Sequence, residues 1–149
     1  MTQFSKFNPN LICKNSKKLI FDNIRKKYVA LTPEEFVRQF FIDFLINTMN
    51  YPAGLICVEK CVTVNNMRQR ADILLYNRSG KPVMIIECKS PNVKIGQETI
   101  EQAARYNLSL NVKYLSITNG KTTYCVKLDA EGQNHQLLAE FPLTEEVVA

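Results

Sequence analysis

Histidine occurs once in this chain, at position 135, and none of its five cysteines forms a CxxC pair. Those two shortages argue against a structural zinc site, which needs four nitrogen or sulfur ligands at characteristic spacing. Cys57 and Cys61 are four apart and would share a strand face. They read as buried reduced thiols, with sulfur chemistry as the other reading. Long hydrophobic runs are missing as well. FFIDFLI is too short for a membrane span and is interrupted by Asp43, and the opening MTQFSKFNPN has no apolar segment. Neither a membrane span nor a signal peptide is expected, so the expected compartment is cytoplasmic. Repeats, low-complexity tracts and linkers are lacking. No aromatic ladder or base-reading helix stands out, so contact with a nucleic acid would be led by phosphates and weakly sequence-specific.

What is present fits one ordinary domain over residues 1–149, with 46% hydrophobic and 22% charged residues. A chain of this length buries about 70% of its unfolded surface and needs no disulfide. The net charge is +5 and the pI about 9.0. A balance of that sign suits a polyanionic partner, although many proteins without one are as basic. Much of the excess lies in CKNSKKLIFDNIRKKY, so residues 1–29 form a basic N-terminal segment. That segment reads as a solvated arm or helix face, and as a phosphate contact only if a nuclease-like site lies nearby.

The remainder alternates in type. LTPEEFVRQFFIDFLINTM opens with Thr32 as N-cap, Pro33 in the first turn and Glu35 at the third position, a capping box followed by amphipathic helical spacing. YPAG stops that helix. LICVEKCVTV, RADILLYN and PVMIIECK read as three strands, the last two separated by the turn signal RSGK. QETIEQAARYNLSL reads as a second helix, and VKYLSIT and TTYCVKL as strands around the turn NGK. The core is therefore expected over 30–128, with 129–149 as a polar extension. The order is helix, three strands, helix, two strands, an α/β arrangement.

Within this pattern Asp72, Glu87 and Lys89 are out of character, because a buried charge is costly unless it is paired or metal-bound. If Ser79-Gly80 is a two-residue loop, Arg78 faces Lys81 and counting outward sets Asp72 opposite Glu87. Opposed residues share a sheet face, about 4.5–5.5 Å apart at Cβ, and the two-residue period adds Lys89 to that face. A slip of one residue would separate them. Two facing carboxylates repel, and a divalent cation removes the repulsion. Oxygen ligands without histidine or cysteine suit Mg²⁺ or Mn²⁺. Such an ion can polarise a phosphoryl oxygen and activate water, and a neighbouring ammonium can stabilise the growing charge. The competing reading is a solvated Glu–Lys pair at a strand end beside an exposed Asp72.

These residues resemble a known family. An acidic residue followed by E-x-K on the next strand resembles the PD-(D/E)xK nuclease superfamily. More narrowly, TPEEFVRQ, RADILLYNRSGKPVMIIECKSPNVKI, QAARYN and LSITNGK, spanning Thr32 to about Tyr124, resemble the N-terminal nuclease domain of type I restriction enzyme restriction (R) subunits. The resemblance implies a restriction-endonuclease-like fold: a mixed central β-sheet flanked by helices with a helix–three strands–helix–strand core. It implies Asp72 and Glu87 as metal ligands, Glu35 as a further one, and Lys89 as the catalytic lysine. It places the family's Q-x-x-x-Y signature on Gln102 and Tyr106, one helix face. A Mg²⁺- or Mn²⁺-dependent nuclease acting on DNA is expected. A non-catalytic binding or assembly module that keeps the fold is the alternative.

Several charges are less committed. Arg68 and Arg70 precede Asp72 and would meet DNA phosphate or lie exposed in a loop. Glu59 is a reserve ligand or an edge charge. Glu35 is also explained by capping. Ala71 stands where the superfamily often has proline. NGKTT mimics the tail of a phosphate-binding loop, but Leu115 occupies the place of its first glycine, so no ATP site is expected. A separately encoded motor or specificity protein would be the partner, and a homodimer is left open.

Overall fold

Thr32 and Pro33 start the first helix as their residue types dictate. Thr32 is extended, at φ −109°, and its hydroxyl oxygen accepts the Glu35 amide at 3.0 Å. Pro33, lacking an N–H, opens α1 (Pro33–Asp43) where that donor has no helical partner. A π-helical turn (Phe44–Thr48) prolongs the helix, and Asn50, in the left-handed region at φ 55°, turns the chain away. The computed structural model of this chain describes residues 6–64, 67–107, 111–129 and 134–149, with backbone alone for 61–64, 67–69 and 106.

Six strands then form the main sheet: β4 (Ile56–Val64), β5 (Met67–Tyr76), β6 (Pro82–Cys88), β7 (Tyr114–Thr118), β8 (Thr123–Leu128) and β9 (His135–Leu137), side by side in that order. All neighbours run antiparallel except β6 and β7, which are parallel and joined through α2 (Gln97–Tyr106). A parallel pair needs such a crossover, since no tight turn can reverse the chain twice. Strand alternation divides the core. Ile73, Leu75, Met84 and Ile86 pack beneath α1 with Val37, Phe41 and Leu45. Leu74, Ile85, Leu115 and Ile117 pack beneath α2 with Ile100 and Ala104. This mixed sheet between helices is the expected class.

Three sequence expectations are corrected. The basic segment is neither an arm nor a helix face. Β-strands β1 (Leu11–Lys14), β2 (Lys17–Asp22) and β3 (Lys27–Ala30) form a separate three-stranded antiparallel sheet. Asn15 and Ser16, both at positive φ (52° and 63°), form its first turn, the backbone combination that suits a two-residue hairpin. Ile20 and Asp22 point inward with no exposure, whereas β1 is exposed throughout. One apolar position per strand side is too weak a period for a sequence to reveal.

The loop between β5 and β6 is also not the two-residue turn expected. Asn77, not Arg78, faces Lys81: its amide donates to the Lys81 carbonyl at 2.9 Å, and its side-chain oxygen accepts the Ser79 and Lys81 amides. Gly80 takes φ 80°. A register shift follows, with Tyr76 opposite Pro82 but Leu75 opposite Met84. The extra residue in β6 cancels the longer loop, so Ile73 still opposes Ile86 and the next step sets Asp72 beside Glu87.

The third correction concerns the C-terminal stretch, which is more than a polar extension. Phe141 stacks edge-on against Phe41 at 5.7 Å and Phe44 at 6.1 Å. Val147 and Val148 of α3 (Thr144–Val148) complete the core beneath α1. The NGK turn is as expected: Asn119 accepts the Lys121 and Thr122 amides and Gly120 takes φ 86°.

Candidate active site

Asp72 lies on β5, the second strand of the sheet, between β4 and β6. One carboxylate oxygen accepts the Cys88 amide of β6 at 2.7 Å; the other stands 3.6 Å from Nη2 of Arg38 on α1. The hydrogen bond fixes the side chain across the strand pair. Asp72 and Glu87 both line a cleft of about 170 Å³ whose remaining wall includes Arg70, Ser116, Ile100 and Ala103 of α2, and Asn107 just past its end. Glu87 is exposed. Just past the end of β6, the Lys89 ammonium sits 3.7 Å from a Glu87 oxygen, with its backbone amide anchored to the Thr118 carbonyl at 2.8 Å. The structure therefore brings Asp72, Glu87 and Lys89 to one end of the β5–β6 pair. Between them in sequence, Cys88 is buried, and burial pushes its thiol well above the usual range.

Glu35 is only half of a capping box. Its amide meets Thr32, but its carboxylate turns inward to Arg25 at 3.1 Å and to the Gln39 amide at 3.1 Å. A guanidinium offers a charge-assisted bond, stronger than the neutral N–H a capping box would supply. Glu59 lies on the edge strand β4, as an edge charge would, but it is paired with arginines rather than simply solvated. It adopts left-handed backbone within β4, at φ 54°, where the ladder to β5 pairs Val58 with Ile73 and Lys60 with Ala71. Its carboxylate meets Arg25 at 3.0 Å, Arg38 at 3.2 Å and Arg70 at 2.7 Å. Burial would raise the Glu59 carboxyl, but these three guanidiniums outweigh it and hold it below its ordinary value.

Sequence reasoning missed the arginines at the centre of this network. Arg25, from the turn between β2 and β3, ties Asp22, Glu35 and Glu59 together. Arg38 is 93% buried by side chain and lies within 3.6 Å of Glu35, Glu59 and Asp72. A signal existed for Arg38: it follows Glu35 by three on the helix and interrupts the apolar face of Val37, Phe41 and Ile42. None existed for Arg25, which reaches the site only through the unforeseen N-terminal sheet.

The other expected site residues are distributed differently. Arg70 is at the cleft mouth and mostly exposed while pairing with Glu59. Gln102 is exposed on α2 and is not among the residues lining the cleft. The side chains of Arg68, Tyr106 and Cys61 lie outside those described. No three described His, Cys, Asp or Glu side chains stand together as a ready cation cage. The donors at the cleft still fit a hard divalent ion. Each is a carboxylate, and an Asp72 oxygen that accepts one hydrogen bond keeps a lone pair.

Residues 33–142 match the family described as the type I restriction enzyme R protein N terminus (HSDR_N). The chain belongs to that family. As an R-protein N-terminal domain it is similar in fold to a fragment attributed to the HsdR subunit of a type I restriction enzyme from Vibrio vulnificus YJ016. The two are 25% identical with a TM-score of 0.53, over 78% of this chain and 24% of that one. The domain thus spans about a quarter of that relative's length. A comparison with curated proteins finds no match. The PD-(D/E)xK pattern of Asp72, Glu87 and Lys89 is consistent with the family. Among the described residues, no helix is long and apolar enough to cross a membrane.

Proposed function

We propose that this R-protein N-terminal domain is a divalent-metal-dependent nuclease that hydrolyses phosphodiester bonds in DNA. The observation that supports it most is the joining of Asp72 and Glu87 in one cleft, with the Lys89 ammonium 3.7 Å from Glu87. Asp72 and Glu87 would hold Mg²⁺ or Mn²⁺, which as a Lewis acid supplies polarisation of the phosphoryl group and a more acidic water. The chain's own groups do the rest. The Cys88 amide and Arg38 fix the Asp72 carboxylate in advance, so no reorganisation is needed when charge develops. The Lys89 side chain, 41% exposed and paired with Glu87, would reach a phosphate oxygen or orient the attacking water. Arg70, at the mouth, offers a guanidinium to the phosphate backbone and gives binding a salt dependence.

The domain would act with DNA-translocating and specificity components of a type I restriction assembly. The test is cleavage of plasmid DNA with Mg²⁺ or Mn²⁺. Lys89→Ala and Asp72→Asn should each reduce it at least about 100-fold, as expected for loss of a charge that stabilises the transition state, while the circular dichroism spectrum is retained. Unchanged cleavage by both variants would refute the assignment. DNA retention in a gel shift without cleavage in either metal would instead select a binding module.

A further inference from the structure

The acids around Asp72 carry their own counter-charges. Asp22, Glu35, Glu59 and Asp72 are interleaved with Arg25, Arg38 and Arg70, every neighbouring pair within 3.6 Å. Four carboxylates against three guanidiniums leave a single negative charge, and the Glu87–Lys89 pair adds none. Arg38 is the centre of this arrangement. It is buried, it faces three carboxylates at once, and its Nε and Nη1 make no well-aligned hydrogen bond among the described residues. A buried guanidinium so poorly satisfied is costly unless its charge is needed where it stands. The charge is needed by Glu35 and Glu59, which are on the α1 side of Asp72 and which a second metal ion would otherwise require as ligands.

We propose that Arg38, supported by Arg25, is the resident cation of this acid cluster, so that the domain takes one divalent ion, through Asp72 and Glu87, and no second ion on Glu35 and Glu59. The inference rests on the metal-dependent reading above and specifies its stoichiometry. It also reassigns Glu35 from metal ligand to structural partner of the arginines. One divalent ion takes the net charge of the cluster from −1 to +1. Two would leave three uncompensated positive charges in a half-buried site.

Titration of the full chain with Mn²⁺ alone tests this, counting bound ions by calorimetry and free Mn²⁺ by electron paramagnetic resonance. The wild-type chain should bind one ion. Glu35→Gln should still bind one. Arg38→Met, similar in volume but uncharged, should bind two. Two ions on the wild-type chain overturn the inference while leaving the nuclease reading intact. So does a loss of affinity on the order of 10-fold or more in Glu35→Gln, the size seen when a group serving a metal is removed. A count that stays at one in folded Arg38→Met also overturns it. No bound ion on the wild-type chain removes the metal-dependent reading and the inference together. Should Arg38→Met not fold, the wild-type and Glu35→Gln counts decide.

Discussion

Asp22 has no solvent exposure and yet keeps its charge. Burial alone would raise its carboxyl. The amide and guanidinium of Arg25, together with the Ile24 amide, outweigh burial and hold it below the ordinary carboxylate value. Burial alone would likewise lower Arg25, whose guanidinium is raised instead by Asp22, Glu35 and Glu59. Because the folded carboxyl binds a proton less readily than the unfolded one, the unfolded chain takes up more protons as pH drops. The stabilisation is therefore complete above the unfolded value of about 4 and disappears as pH falls through the depressed folded value. Urea unfolding at about pH 7 and about pH 3 should show that acid loss, and Asp22→Asn should flatten it. At neutral pH Asp22→Asn should cost about 2 kcal/mol, the scale of a hydrogen bond to a charged group. An unchanged acid slope would show that Asp22 is not the sensing group.

At the scale of elements, Thr32 is the residue that starts α1, and its side chain satisfies an amide with no helical partner. Thr32→Ala should destabilise the domain by about 1 kcal/mol in urea titration. A loss well below that would mean that packing of Phe41 and Val37, rather than the cap, sets the start of the helix. α1, α2 and the strands from β4 to β8 were legible because each repeats its apolar period over a full element. The β5–β6 loop was legible only in outcome: Asn77 and Gly80 make a longer turn than expected, and one extra residue in β6 restores the predicted neighbours. The β1–β3 sheet was not legible, since Lys14, Lys17, Lys18, Lys26 and Lys27 obscure the single inward positions at Ile20 and Asp22. At the site, the acids and the lysine could be found by type and spacing. Of the arginines that hold them, Arg38 left a signal in its spacing from Glu35, but Arg25 left none, because it is close to Glu35 and Glu59 only after two sheets are in place.

Over the whole molecule, the ends of the chain close the core that the middle begins. β9 covers the β8 edge, and Phe141, Val147 and Val148 seal the cluster beneath α1. Phe141→Ala should therefore cost roughly 3 kcal/mol, the lower end for loss of a packed phenylalanine, and lower the urea midpoint without changing the site residues. A loss under about 1 kcal/mol would show that this ring is peripheral, as surface substitutions usually are. The N-terminal sheet meets α1 through β2, Ile24 packs on the same cluster, and through Arg25 the segment contributes to the charge balance around Asp72.

That contribution comes from beyond the stretch that defines the family. Residues 33–142 contain Glu35, Glu59 and Asp72, but Arg25 enters from upstream. A protein trimmed to those boundaries would retain Glu35, Glu59 and Asp72 but lose Asp22 together with Arg25, one of the guanidiniums that pair with the remaining acids. Its behaviour toward cations would then report the trimming as much as the enzyme.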